Sequence, residues 1–512
     1  MTLMGQPPQQ ATPNASTSLT SRATRSGSAS AKLPLLVVSL LVMGYAFVMV
    51  SISDTVSSNW ELNVSLVALI WMSAYFSLSY LAFRTIYLFA STYVVTLVLF
   101  HLGVTIPDTF GAFGDSDWSR GDSARWLELS GWCTVLALGS LGSGFALGLK
   151  PGAPDDWRTS PAPEVRTATL RRLYSDGLGL LIASVILLAL AYASLGNLIK
   201  YSRVDFFRGV GDTRGLGVFL MTFPSALIAL VIGADTPGRR RFATIIAAFG
   251  VTLLLLSGYR SSAMFPLLIG VTLWAKTGRR ILWPVAIGTL ALVFFVNSAV
   301  GLLRNVRSYK EIDSATLVKS AQQSTLRASV AELGQTGAVL AEVIRYVPAT
   351  DSYRYGQSYW RALELSIPNI LPQMSKDLRA EGKAEAARDP DSINQMIPSD
   401  WITYRIKPDK FDVGEGVGFT GIGEPYINFG YPGVALFFAG LGYFMARMDS
   451  AQLLYRPRLL IFSATMFWSL VSTVRQDIGN FFKPALFTFL ILVAWRLAEK
   501  QFPSLSTNRS SS

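Results

Sequence analysis

Apolar residues in this chain are gathered into about twelve long runs, a pattern that excludes nearly every water-soluble fold. Crossing the hydrocarbon core of a bilayer takes a helix of roughly 20 apolar residues, because each backbone N–H and C=O must be satisfied inside the segment itself. Runs of this kind fall near residues 33–52, 62–83, 86–106, 127–149, 177–197, 215–233, 243–258, 262–276, 281–302, 417–446, 459–474 and 481–497. Those at 243–258, 262–276 and 459–474 are short for a full crossing. With 51% hydrophobic residues, 15% charged residues and a mean hydropathy of +0.38, the chain reads as an all-α polytopic membrane protein.

A formal net charge of +12 would direct a soluble protein toward nucleic acid. Here the basic residues sit in short connections between apolar runs, so they report orientation and argue against nucleic-acid binding. With the N-terminus in the cytoplasm, Arg84, Lys150, Arg158, Arg166, Arg171, Arg172, Arg239, Arg240, Arg241, Lys276, Arg279, Arg280, Arg447, Arg456 and Arg458 all fall inside. Both termini are then expected to be cytoplasmic. Residues 1–32 lack an apolar core and are expected to form a disordered tail, followed by a retained anchor rather than a cleaved signal. Residues 498–512 form a second tail. The single cysteine, Cys133, excludes an internal disulfide.

Nine spans (33–303) and three spans (417–497) flank the exception, a polar stretch of about 113 residues from Arg304 to Gly416 that faces outward. Transporters work within their helices, and this chain shows no internal repeat. Chain spent on one side of the membrane points instead to chemistry there. Within the loop, Leu317, Val318, Ala321, Val330, Leu333, Leu340 and Ile344 recur at helical spacing, which predicts an amphipathic helix over Ala315–Val347 at the membrane surface, stopped by Pro348.

Basic residues stranded on the outer side need a reason. Arg260 sits in a tight outer turn with no acidic neighbour in sequence, Arg304 and Arg307 leave the ninth span, and Arg475 leaves the eleventh. Arginine grips phosphate through paired hydrogen bonds, so these four are candidate anion ligands; snorkelling to headgroups is the plainer alternative. Glu424, at the outer end of the tenth span, is a candidate general base, or a partner for one of the arginines. Asn428 either orients a sugar hydroxyl or bonds between helices, and Asp477 either serves the site or pairs with Arg475. Tyr353, Tyr355, Tyr359 and Trp360 suit stacking on sugar faces, or an interfacial belt. Arg203, Arg208 and Arg214 read as solvated surface. His101, the lone histidine, reads as a packed residue, and no metal site is expected.

The layout of many spans with one large late loop, together with Gly258-Tyr-Arg-Ser-Ser262, Tyr355-Gly-Gln-Ser-Tyr359, Ile367-Pro-Asn-Ile-Leu-Pro372, Glu424-Pro-Tyr-Ile-Asn-Phe-Gly430 and Arg475-Gln-Asp477, resembles the Wzy-type O-antigen and oligosaccharide repeat-unit polymerases over about residues 250–480. The resemblance implies a cofactor-free, metal-independent glycosyltransferase of the bacterial inner membrane. Its substrates would be polyprenyl-diphosphate-linked glycans, and its partners membrane lipids, a chain-length regulator and a flippase. On this view Arg260, Arg304, Arg307 and Arg475 hold diphosphate, Glu424 is the base and the loop aromatics guide the glycan. Three alternatives stay open. An O-antigen ligase characteristically uses an outer-loop histidine, which this loop lacks; a flippase predicts mid-membrane charges and symmetry; a scaffold subunit predicts that alanine at Arg260 or Glu424 costs nothing.

Overall fold

Helices occupy eleven of the twelve apolar runs in the computed structural model, which describes residues 16–52, 56–83, 85–111, 123–150, 163–195, 214–256, 260–277, 326–364, 366, 396–412, 416–450 and 456–501. The run at 281–302, with Arg304 and Arg307, lies outside the described residues. Among the described residues all regular structure is helical. Among the described residues, seven helices are long and apolar enough to cross a membrane, and three shorter apolar ones accompany them, Phe89–Leu102, Val218–Gly233 and Ser261–Lys276. Seven of the twelve expected spans thus appear as full-length apolar helices among the described residues. The 243–258 run belongs to a helix that starts at Pro237 and carries Arg239, Arg240 and Arg241 in its first turns.

We number the helices α1 (Ser16–Ile52), α2 (Trp60–Phe83), α3 (Phe89–Leu102), α4 (Thr105–Thr109), α5 (Ser123–Gly148), α6 (Pro163–Leu195), α7 (Arg214–Gly233), α8 (Pro237–Leu256), α9 (Arg260–Lys276), α10 (Leu326–Tyr346), α11 (Gln357–Glu364), α12 (Pro398–Ile406), α13 (Pro408–Asp412), α14 (Gly423–Asp449), α15 (Pro457–Ser472) and α16 (Gly479–Gln501). Helix α5 is the central post, buried along almost its whole length between α1 and α14. Lipid tails are as apolar as leucine, so small residues that let backbones approach do much of the packing. A Cβ on Gly144 would fall on the Ala439 carbonyl, and one on Gly442 on the Leu141 carbonyl. The buried serines between them satisfy themselves on their own helix, with Ser140 Oγ donating to the Leu136 carbonyl at 2.7 Å and Ser143 Oγ to that of Gly139 at 2.9 Å. Replacing Gly442 with alanine should therefore push α14 off α5 and lower the melting temperature of the detergent-solubilised protein by several degrees. An unchanged melting curve would mean that this contact is not tight.

The second part of the amphipathic pattern forms a helix, α10, whose apolar face is covered by protein, while 315–325, with Leu317, Val318 and Ala321, lies outside the described residues. Leu333, Leu340, Val343 and Ile344 are buried against α3 and α5, Gly337 sits on the His101 carbonyl, and Ser130 Oγ of α5 donates to the Gly337 carbonyl at 2.8 Å. Gly334 and Gly337, one turn apart, permit the approach. His101 is satisfied as expected. Its Nδ1 lies 3.0 Å from the Leu97 carbonyl, which can only accept, so Nε2 accepts the Thr420 hydroxyl at 2.8 Å. Thr420 Oγ1 in turn accepts the Ile422 and Gly423 amides and so fixes the start of α14.

At the other end of α14, Asp449 accepts the Phe89 amide at 2.9 Å, the Ala90 amide at 3.1 Å and Lys276 Nζ at 2.5 Å. One carboxylate thus caps the N-terminus of α3 and neutralises the last residue of α9, with both charged side chains at most 2% exposed. Lys276, counted from sequence among the inward loop cations, is a buried strut between helices.

Candidate active site

The first turns of α14 are held by segment 353–358. Gly430 adopts φ 65° and ψ −155°, a region open only to glycine, and Pro432 has no N–H to offer the Asn428 carbonyl. The break frees carbonyls that would otherwise be bonded within the helix. Segment 353–356 fills them, with the Arg354 amide donating to Ile427 O at 2.9 Å and the Tyr355 amide to Asn428 O at 3.2 Å. Tyr353 packs over Gly430, where a Cβ would lie 3.2 Å from its hydroxyl.

Glu424 sits inside this junction, 3% exposed. One carboxylate oxygen accepts Ser358 Oγ at 2.9 Å and the other accepts the Ile478 amide at 2.7 Å. Asn428 spends both amide hydrogens inside the protein, on Ser358 Oγ at 2.7 Å and the Glu424 carbonyl at 2.8 Å, while its oxygen accepts the Gly356 amide at 2.8 Å. The carboxylate is therefore gripped by two neutral donors from two separate segments, and among the described residues it forms no ion pair.

A guanidinium stands close by. Arg354 is 4% exposed, donates Nη1 to the Met396 carbonyl at 2.6 Å and lies over the Trp401 ring, 5.2 Å from its centre. Its Nη2 is buried and has no hydrogen-bond partner among the described residues. Burial pulls its pKa down to about 10, opposed by the charges of Glu424 and Asp351, so it is a cation at neutral pH. Asp351 is taken by others, accepting Trp401 Nε1 and Arg405 Nε, each at 3.0 Å. Burial, and then the nearby Glu424 charge, push the Tyr359 phenol well above its ordinary range.

A bundle of apolar helices with a buried carboxylate and a buried guanidinium beside an aromatic segment fits a glycan-handling enzyme. The family model for the O-antigen polysaccharide polymerase Wzy matches residues 35–499, which is most of the chain. The chain belongs to the Wzy O-antigen polymerase family. Searches of curated proteins and of solved structures each return no match. A Wzy-family chain is a membrane-embedded polysaccharide polymerase, and the multi-pass helical architecture agrees with that.

Of the residues singled out from the sequence of this Wzy-family chain, Glu424, Asn428, Asp477, Tyr353, Tyr355, Tyr359, Trp360 and Arg475 converge on the junction of α11, α12, α14 and α16. Asp477 accepts Ser399 Oγ of α12 at 2.7 Å and Asn480 Nδ2 at 3.2 Å. Arg475 is half-buried beside Gly418, and its carbonyl receives the Phe419 amide at 3.1 Å. Tyr353 edges onto both Tyr355 and Tyr426, and Tyr359 stacks on Phe437. Tyr355 and Trp360 face outward, 75% and 67% exposed. Arg260 begins α9, its side chain outside the description, as Arg304 and Arg307 are altogether. No group of three or more His, Cys, Asp or Glu side chains gathers among the described residues.

Sequence reasoning missed Arg354 and Ser358, both within the aromatic passage it singled out. Arg354 is a basic residue in the loop that the sequence reading places outside, so the argument applied to Arg260 would have found it. Ser358 carried no such signal, because its partners lie 66 and 70 residues away.

Proposed function

We propose that this Wzy-family polymerase joins polyprenyl-diphosphate-linked oligosaccharide repeat units on the outer side of the cytoplasmic membrane, with both of its termini inside. A hydroxyl of one lipid-linked unit attacks the anomeric carbon of the other glycan. The bond to the diphosphate breaks, and the hydroxyl proton passes to Glu424. Arg475, with Arg260, Arg304 and Arg307, receives the charge that develops on the leaving diphosphate, a task that calls for no metal. Arg354, with its spare Nη2, adds a further cation. Tyr353, Tyr355, Tyr359 and Trp360 bear on the sugars, and Asp477 and Asn428 brace the site from within. A flippase would supply the units, and a chain-length regulator would act on the product.

The observation that carries this reading is the pairing, at the loop end of a membrane helix, of a carboxylate held by neutral donors with a buried guanidinium that has a donor to spare. The test is deletion of the gene in its native host, with size analysis of surface glycans and lipid-linked oligosaccharides. Loss of long polymer, with single repeat units still reaching the outer face, is the expected result. Units trapped on the cytoplasmic face would point to a flippase, and full-length polymer retained on its lipid carrier to a ligase.

A further inference from the structure

Glu424 is placed by a residue on a different element from its own. Helix α14 supplies the carboxylate, while the hydroxyl on Oε1 comes from Ser358 of α11, an eight-residue helix of the outer loop. Ser358 is itself 4% exposed, and its single proton has one destination: Asn428 Nδ2 donates into the Ser358 oxygen at 2.7 Å, so the hydroxyl must turn to Glu424. The Asn428 amide is fixed in its turn by the Gly356 N–H on its oxygen, which settles which end is the donor. Each link in this chain from Gly356 through Asn428 and Ser358 to Glu424 thus has a defined direction. With the Ile478 amide on Oε2, the carboxylate plane is pinned from two sides. The opposite face of the same short helix carries Trp360, 67% exposed, and Leu363, 43% exposed, so the element that holds the base also presents the loop's outward apolar surface.

We propose that Ser358 is a positioning residue for the polymerisation step, orienting the Glu424 carboxylate so that one lone pair meets the attacking hydroxyl. This rests on the assignment of Glu424 as the base, and it assigns to α11 the role of coupling the outer loop to the chemistry. A carboxylate freed on one side loses the alignment that makes proton transfer efficient while the sugar contacts remain. The signature is therefore a fall in kcat with KM little changed.

The test uses the full-length protein in lipid nanodiscs, supplied with lipid-linked repeat units extracted from a strain deleted for this gene. Ser358→Ala is expected to lower kcat tenfold or more with KM within twofold, and Ser358→Thr to restore much of the rate. Ser366→Ala is the control, since that buried hydroxyl, two residues past the end of α11, bonds to the Ala362 carbonyl and, among the described residues, to no other side chain; its rate should stay at the wild-type level. If the alanine variant fails to accumulate, Ser358→Cys keeps nearly the same volume with a much weaker donor and should show the same loss. Wild-type turnover in Ser358→Ala beside an inactive Glu424→Gln would overturn the role of Ser358 and leave that of Glu424 standing. Equal losses in Ser358→Ala and Ser366→Ala would also overturn it, as a mere effect on α11. A fully active Glu424→Gln would remove both assignments together.

Discussion

Replacing Glu424 with glutamine is expected to lower polymer formation by about 10²–10⁴-fold, the usual contribution of a positioned general base, while the protein accumulates normally. The two results separate because glutamine keeps nearly every local contact. Its oxygen can still accept the Ile478 amide, and its amino group can face the Ser358 oxygen. What disappears is the capacity to take a proton. Alanine at the same position would remove the acceptor for two donors buried at the junction and confuse lost chemistry with lost structure. The measurement is polymer length and amount against protein level in a complemented deletion strain. Polymer of wild-type length and amount would remove Glu424 from the mechanism.

The second large effect lies at the opposite end of the same helix. Asp449→Ala is expected to destabilise the protein by about 3–5 kcal/mol, the cost of leaving one charge of a buried pair without its partner. Lys276 would stay buried, and the Phe89 and Ala90 amides at the start of α3 would lose their acceptor. Asp449→Asn keeps an acceptor oxygen for the amides and should cost less. Lys276→Met removes the cation but leaves the carboxylate on its two N–H donors, so it too should be milder. Thermal unfolding of the three purified variants gives the order directly, and equal melting temperatures would show that the charge pair contributes little.

The spans were legible because bilayer thickness imposes a length on apolar runs that no other environment demands. Helix α10 was legible as a helix and misplaced as to its surroundings, since an apolar stripe looks the same whether lipid or protein covers it. The difference lay in Gly334 and Gly337, whose closeness to α3 appears only once the chain is folded. Lys276 shows a second limit. Counting cations by side of the membrane treats each one as solvated, and it is silent about a lysine whose carboxylate lies 173 residues further on. Glu424 was found because a carboxylate in an apolar segment is conspicuous by its cost, whereas a serine among tyrosines is not. Chemistry that depends on expensive residues can be read from sequence, while the neutral groups that aim them are known only by their contacts.

The break at Gly430 sets a boundary inside a single long apolar helix. Residues 423–429 belong to a membrane helix by sequence, yet their free carbonyls and the Glu424 side chain are bonded to segments 353–358 and 478. Mechanically, the first two turns of α14 are tied to segments 353–358 and 478. A graft that exchanged only the loop for that of a relative would cut through these bonds and strand the carboxylate on the wrong side of the seam. The transplantable unit runs through Gly430 and ends at Pro432, where the helix resumes its own hydrogen bonding.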